Sequence, residues 1–92
     1  MSGSPIPTDD RHRLVLYERA GCHLCEDVAA VLDHELGPDG YRRVDIDTSD
    51  ALIVAYGFRV PVISVDGMDR LEAPVDPLSL RRLAAEMLAS GS

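Results

Sequence analysis

A chain of 92 residues, 46% hydrophobic and 27% charged, fits one globular domain and falls outside the disordered and collagen-like classes. Sixteen acidic residues against nine basic ones, all nine of them arginine, give a net charge of −7 that repels a phosphate backbone, so nucleic acid is not expected as a partner. The absence of lysine also removes Schiff-base chemistry and a P-loop lysine, leaving Cys, His, Asp/Glu, Ser/Thr and Tyr as candidate catalytic groups.

Residues 1–11, rich in Gly, Ser, Pro and Asp, read as a flexible tail, with the folded domain over residues 12–89 and a frayed end at 90–92. The start lacks a basic segment followed by an apolar one, and no run approaches the length of a membrane span. The expectation is a cytoplasmic protein with no membrane partner. The segment Arg13 to Tyr17 is apolar on both alternating faces, the pattern of a central strand covered on two sides.

From Cys22 the period changes. Cys25, Val28, Ala29, Leu32 and Leu36 form the stripe of an amphipathic helix beginning at Cys22, which Gly37 and Pro38 terminate. Tyr41 to Ile46 alternates as a second strand with one more polar side, placed at a sheet edge. Thr48 to Tyr56 reads as a short helix, with Asp47 and Asp50 spaced as a capping box and Gly57 as its stop. Val60 to Val65 is a third strand, Asp66-Gly67 a two-residue hairpin turn and Met68 to Glu72 the returning strand. Asp76 offers an N-cap with Pro77 at the first helical position, and Leu80, Leu83, Ala84, Met87 and Leu88 stripe a last helix. The order is β-α-β-α-β-β-α, an α/β fold with a mixed four-stranded sheet flanked by helices.

The chemistry concentrates at Gly21-Cys-His-Leu-Cys25. A C-x-x-C between a strand and a helix, in a chain with no other cysteines, is the context of redox-active thiols. Cys22 in the first turn meets unpaired backbone N–H groups and the positive end of the helix dipole. Both favour a thiolate and lower its pKa from about 8.5 into the range of roughly 3.5–7.5. Cys22 is thus the candidate nucleophile. Cys25, on the apolar stripe, is the more buried thiol and the candidate for resolving a mixed disulfide. His23 lies between them, where a positive charge or a hydrogen bond would act on the Cys22 thiolate, while Glu26 and Asp27 act in the opposite sense.

Two other readings compete: a pair of inert structural thiols, and a metal or iron–sulfur site. Zinc in a structural site takes four protein ligands. His34 stands nine residues beyond Cys25, about 13 Å along the helix and on its opposite side, too far to join the cysteines. His12 reads as a polar strand flank. A metal site would therefore need a second chain or added thiol ligands.

The residues Leu14-Val-Leu-Tyr17, Arg19, Gly21-Cys-His-Leu-Cys-Glu26, Val44-Asp-Ile-Asp47, Tyr56-Gly-Phe-Arg-Val-Pro-Val62 and Val65-Asp-Gly67 together resemble the thioredoxin superfamily, specifically its small bacterial glutaredoxin-like proteins of unassigned function. The similarity spans residues 12–89. It implies a thioredoxin-like fold and a monomeric thiol–disulfide oxidoreductase. It also implies a cis peptide before Pro61, with Val60 presenting its backbone to a bound thiol substrate. The partner would be a disulfide-bearing protein or glutathione, with no bound cofactor and glutathione as co-substrate; Arg19 would face its glycyl carboxylate and Asp76 its γ-glutamyl end. The pattern departs from typical glutaredoxins at three places, where Cys-His-Leu-Cys, Val60 and Leu71-Glu-Ala-Pro-Val-Asp76 stand for Cys-Pro-Tyr-Cys, Thr and a Gly-Gly element. A non-enzymatic adaptor, or a module holding a cluster between chains, is the alternative.

Overall fold

The computed structural model describes residues 13–90. The expected tail of residues 1–11, His12 and the terminal Gly91-Ser92 lie outside that range. The β-branched and large aliphatic residues of Leu14–Glu18 form β1, with Leu14 and Leu16 fully buried on one face. The chain then forms α1 (His23–Leu36), β2 (Arg42–Asp45), a 3₁₀ turn (Ile46–Thr48), α2 (Asp50–Tyr56), β3 (Val62–Val65), β4 (Met68–Glu72) and α3 (Pro77–Ser90). This is the expected β-α-β-α-β-β-α order. The sheet runs β2-β1-β3-β4, with β1 parallel to β2 and antiparallel to β3, so β2 is an edge strand as its polar side implies.

The register explains how the two faces are divided. Leu14 and Leu16 pair with Val65 and Ile63, and these four pack against Val28, Ala29 and Leu32 of α1 and Leu80 and Leu83 of α3. On the opposite face Val15 and Tyr17 pair with Ser64 and Val62, and the Tyr17 ring stacks on Tyr56 at the end of α2, with centroids 4.4 Å apart. All four β3 residues are buried, as expected of a central strand covered on both sides. The turn between β3 and β4 has positive φ at both Asp66 (53°) and Gly67 (84°), the backbone that matches the twist of a two-residue hairpin. Arg13 holds Asp66 through a bidentate ion pair, with contacts as short as 2.7 Å.

Local expectations are corrected at four points. Cys22 is the N-cap of α1, not a residue of its first turn, and its Sγ accepts the Cys25 N–H at 3.1 Å. The cap of α2 is Ser49, whose Oγ accepts the Leu52 N–H; the chain spends residues 46–48 on a 3₁₀ turn capped by Asp45, which displaces the Asp47–Asp50 capping box. The third strand starts at Val62, because Val60 and Pro61 are joined by a cis peptide and stand outside the ladder. Leu88 is 62% exposed, so the core stripe of α3 stops at Met87.

Candidate active site

The tight turn after β1 sets the site. Gly21 adopts φ +78°, a left-handed conformation that L side chains rarely adopt, and the Cys22 N–H donates to the Arg19 carbonyl at 3.3 Å. That geometry delivers Cys22 to the start of α1, where its carbonyl accepts the first helical bond from the Glu26 N–H. Cys22 and Cys25 are joined as a disulfide. Their environments differ sharply: Cys22 is half-buried, whereas Cys25 has no exposed surface and sits on the core side of the helix with Val28 and Ala29. His23 and Leu24, between them, are exposed, Leu24 by 54%.

Pro61, fully buried and cis to Val60, lies beside the helix start. Together with Leu24, Asp27, Val28 and Val31 of α1, Val75 and Pro77 of the β4–α3 connection, and Leu80 of α3, it lines a cavity of about 130 Å3. The Ala73–Pro74 bond in the same connection is also cis, a feature that the sequence gives no means of distinguishing from the ordinary trans case. The cavity walls are apolar except for Asp27, which is exposed.

Arg19, His23, Val60, Pro61 and Asp76 were the candidate substrate contacts. Pro61 lines the cavity, and Val60 directly precedes it. Asp76 is flanked by two cavity residues, but its carboxylate is the N-cap of α3 and accepts from both the N–H and the hydroxyl of Ser79 at 3.1 Å. Arg19 turns to Asp47, donating from Nε and NH2 to one carboxylate oxygen at 3.1 and 2.9 Å, and from NH1 to the Gly57 carbonyl. The guanidinium is held further above its already high pKa by the hydrogen bond to Asp47, so it is a fixed cation clamping the 3₁₀ turn to the end of α2.

Two further arginines near the sheet's end are similarly engaged. Arg43 pairs with Glu18 through two 2.7 Å contacts and reaches Glu26 of α1 at 3.8 Å. Arg59 pairs with Glu72 and Asp69, donates to the Ala55 carbonyl and lies 5.0 Å over the Tyr56 ring. The sequence reading missed the second apolar stripe of α1. Leu24, Val28 and Val31 recur at i, i+4 and i+7, the spacing that could have exposed a second covered face alongside the stripe through Cys25.

No group of three or more His, Cys, Asp or Glu side chains is arranged to hold a metal ion among the described residues, and no helix there is long and apolar enough to cross a membrane.

A four-stranded mixed sheet with a disulfide at the start of its first helix and a cis-proline beside it defines a glutaredoxin-like member of the thioredoxin superfamily. A family profile described as "Glutaredoxin-like domain (DUF836)" matches residues 13–89, and the chain belongs to that family. Among solved structures it is similar to a structural-genomics target protein, XcR50 from X. campestris, at 36% identity and TM-score 0.64, covering 79% of this chain and 96% of that one. A mutant thioredoxin from Halobacterium salinarum aligns at 27% identity and TM-score 0.55, over 85% of this chain and 80% of that one. Oxidised glutaredoxin 2 from Chlamydomonas reinhardtii, at 17% identity and TM-score 0.53, covering 80% of this chain and 72% of that one, shares the fold. No curated protein matches the chain significantly. The fold and the paired cysteines thus support redox chemistry at Cys22–Cys25.

Proposed function

We propose that this protein is a thiol–disulfide oxidoreductase that reduces the mixed disulfides of proteins or of glutathione. The observation that carries the reading is the asymmetry of the pair: Cys22 is a partly exposed residue at a helix N-terminus, and Cys25 is sealed in the core. In the reduced protein, the Cys22 thiolate, favoured by the first-turn N–H groups, attacks one sulfur of a target R–S–S–R′. A Cys22–S–S–R bond forms and R′S⁻ leaves. Cys25 then loses its proton and attacks the Cys22 sulfur, releasing RS⁻ and forming the Cys22–Cys25 disulfide. Two electrons and two protons pass to the target, which becomes two thiols. An external thiol or dithiol reductant closes the cycle.

The cis Val60–Pro61 unit beside the helix start is suited to align the target chain, with His23 exposed at the rim. A reducing compartment such as the cytoplasm suits a pair that must return to the dithiol state, and a single chain carries all of these parts.

The test is turnover of a mixed disulfide by the reduced protein. Cys22→Ser should lose turnover entirely, whereas Cys25→Ser should stall as a covalent adduct through Cys22 visible by mass spectrometry. Unchanged activity in Cys22→Ser rejects the assignment, and visible absorbance with stoichiometric iron in the purified protein would favour a cluster-holding module in its place.

A further inference from the structure

We infer that the cavity lined by Pro61 and by Leu24, the residue between the two cysteines, selects the substrate: it takes an extended polypeptide disulfide with an aliphatic side chain next to the reactive cysteine and an arginine or lysine beyond it, in preference to glutathione. The inference rests on Cys22 and Cys25 being the exchange site.

The walls make the first part of the argument. Leu24, Val28, Val31, Pro61, Val75 and Leu80 offer an apolar surface, and about 130 Å3 is enough to admit an aliphatic side chain while the substrate backbone runs past Pro61. Leu24, 54% exposed, carries this apolar wall to the segment between the two cysteines.

Charge makes the second part. The only charged lining residue is Asp27, an exposed carboxylate with no ion pair or hydrogen bond among the described residues. No cationic side chain lines the cavity. Arg19 is engaged by Asp47, Arg43 by Glu18 and Glu26, and Arg59 by Asp69 and Glu72, while Arg81, next to Leu80 on α3, is not among the lining residues. The first turn of α3, which borders the cavity through Pro77, has its Ser79 N–H taken by Asp76. Glutathione carries two carboxylates, one of them within its zwitterionic γ-glutamyl end, and is a net anion. Placed here, it would bring negative charge to Asp27 and leave an apolar wall facing water. A cationic residue following an aliphatic one complements both features, and the chain's net charge of −7 draws such a segment in.

The test uses the reduced full-length protein and follows release of thionitrobenzoate from short capped peptides, each with one cysteine activated as its thionitrobenzoate disulfide and flanked by Leu-Arg, Leu-Glu, Ser-Arg or Ser-Glu. The glutathione adduct of the same chromophore is run alongside, and hydroxyethyl disulfide serves as the uncharged reference. The Leu-Arg peptide should react about tenfold faster than the Ser-Glu peptide and the glutathione adduct. Asp27→Asn should cut the preference for Arg over Glu about threefold, while the charge-matched Asp50→Asn, in the first turn of α2, leaves it intact. Leu24→Ser should reduce the preference for Leu over Ser. A glutathione adduct reacting as fast as the Leu-Arg peptide overturns the inference, as does an Arg preference that Asp27→Asn leaves unmoved. Failure to reduce hydroxyethyl disulfide as well as every peptide would instead strike the oxidoreductase reading itself.

Discussion

The two cysteines are three residues apart, yet Cys22 is partly exposed and Cys25 is fully buried, and this difference divides their chemistry. In the reduced protein a brief exposure to iodoacetamide should alkylate Cys22 and spare Cys25, as peptide mapping would reveal; equal labelling would mean that the helix start opens freely. Tyr41 illustrates a residue whose role is structural. Its hydroxyl donates its single proton to the Asp33 carboxylate at 2.6 Å and lies 3.3 Å from the Ala29 carbonyl, tying the start of β2 to α1. Burial and the neighbouring Asp33 carboxylate hold its phenol well above the usual value near 10. The neutral form is therefore favoured in the folded state. Its contribution is complete below pH 10 and is lost as pH rises toward the raised folded value. Tyr41→Phe should cost about 1–2 kcal/mol in urea unfolding at neutral pH, and should make the fall in stability above pH 10 shallower.

At the scale of elements, regular periodicity was legible and local competition was not. The stripe of α1 and the Asp66-Gly67 turn could be read because each depends on residues close in sequence. The cap of α2 could not: Asp47 has both the residue type and the spacing of a cap, but Arg19 on a different element takes its carboxylate, and Ser49 caps instead. Asp76 shows the opposite outcome, since the expected N-cap of α3 is formed as read. Asp76→Ala should destabilise the fold by about 1 kcal/mol and Asp76→Ser should restore most of it, measured by denaturant unfolding. A carboxylate needed for substrate would not be rescued in activity by serine. The helix α2 buries none of its residues fully and is tied down near its end by the Tyr17–Tyr56 stack, the Arg19 contact with the Gly57 carbonyl and the Arg59 contact with the Ala55 carbonyl. Its amides should exchange by local opening well before those of β1 and β3, a difference that hydrogen exchange would detect.

Across the molecule, the sheet order and the division into two covered faces follow from β3, whose unbroken apolar run demands a central position. The sequence also marked both cysteines and the cis Val60–Pro61 unit, the latter through family resemblance. The cavity was harder to read because its lining comes from α1, the β4–α3 connection and α3, and no local pattern announces where those surfaces meet. The acidity of the chain, which at first only excludes nucleic acid, acquires a kinetic role if substrates are basic. The rate advantage of an Arg-bearing peptide over its Glu-bearing counterpart should shrink as ionic strength rises from about 0.01 M to 1 M, where screening shortens from about 30 Å to 3 Å. Rates unaffected by salt would confine the selectivity to contact with the cavity walls.

The Cys22 sulfur that enters the disulfide also receives the Cys25 N–H as the cap of α1. Electron transfer and folding therefore close a single thermodynamic cycle: the stability difference between oxidised and dithiol protein equals the difference in reduction potential between the folded and unfolded pair. For a two-electron couple about 1.4 kcal/mol corresponds to 30 mV. Denaturation curves in defined thiol buffers thus measure how far the fold tunes the pair, with a more stable dithiol form marking an oxidant and a more stable disulfide form a reductant.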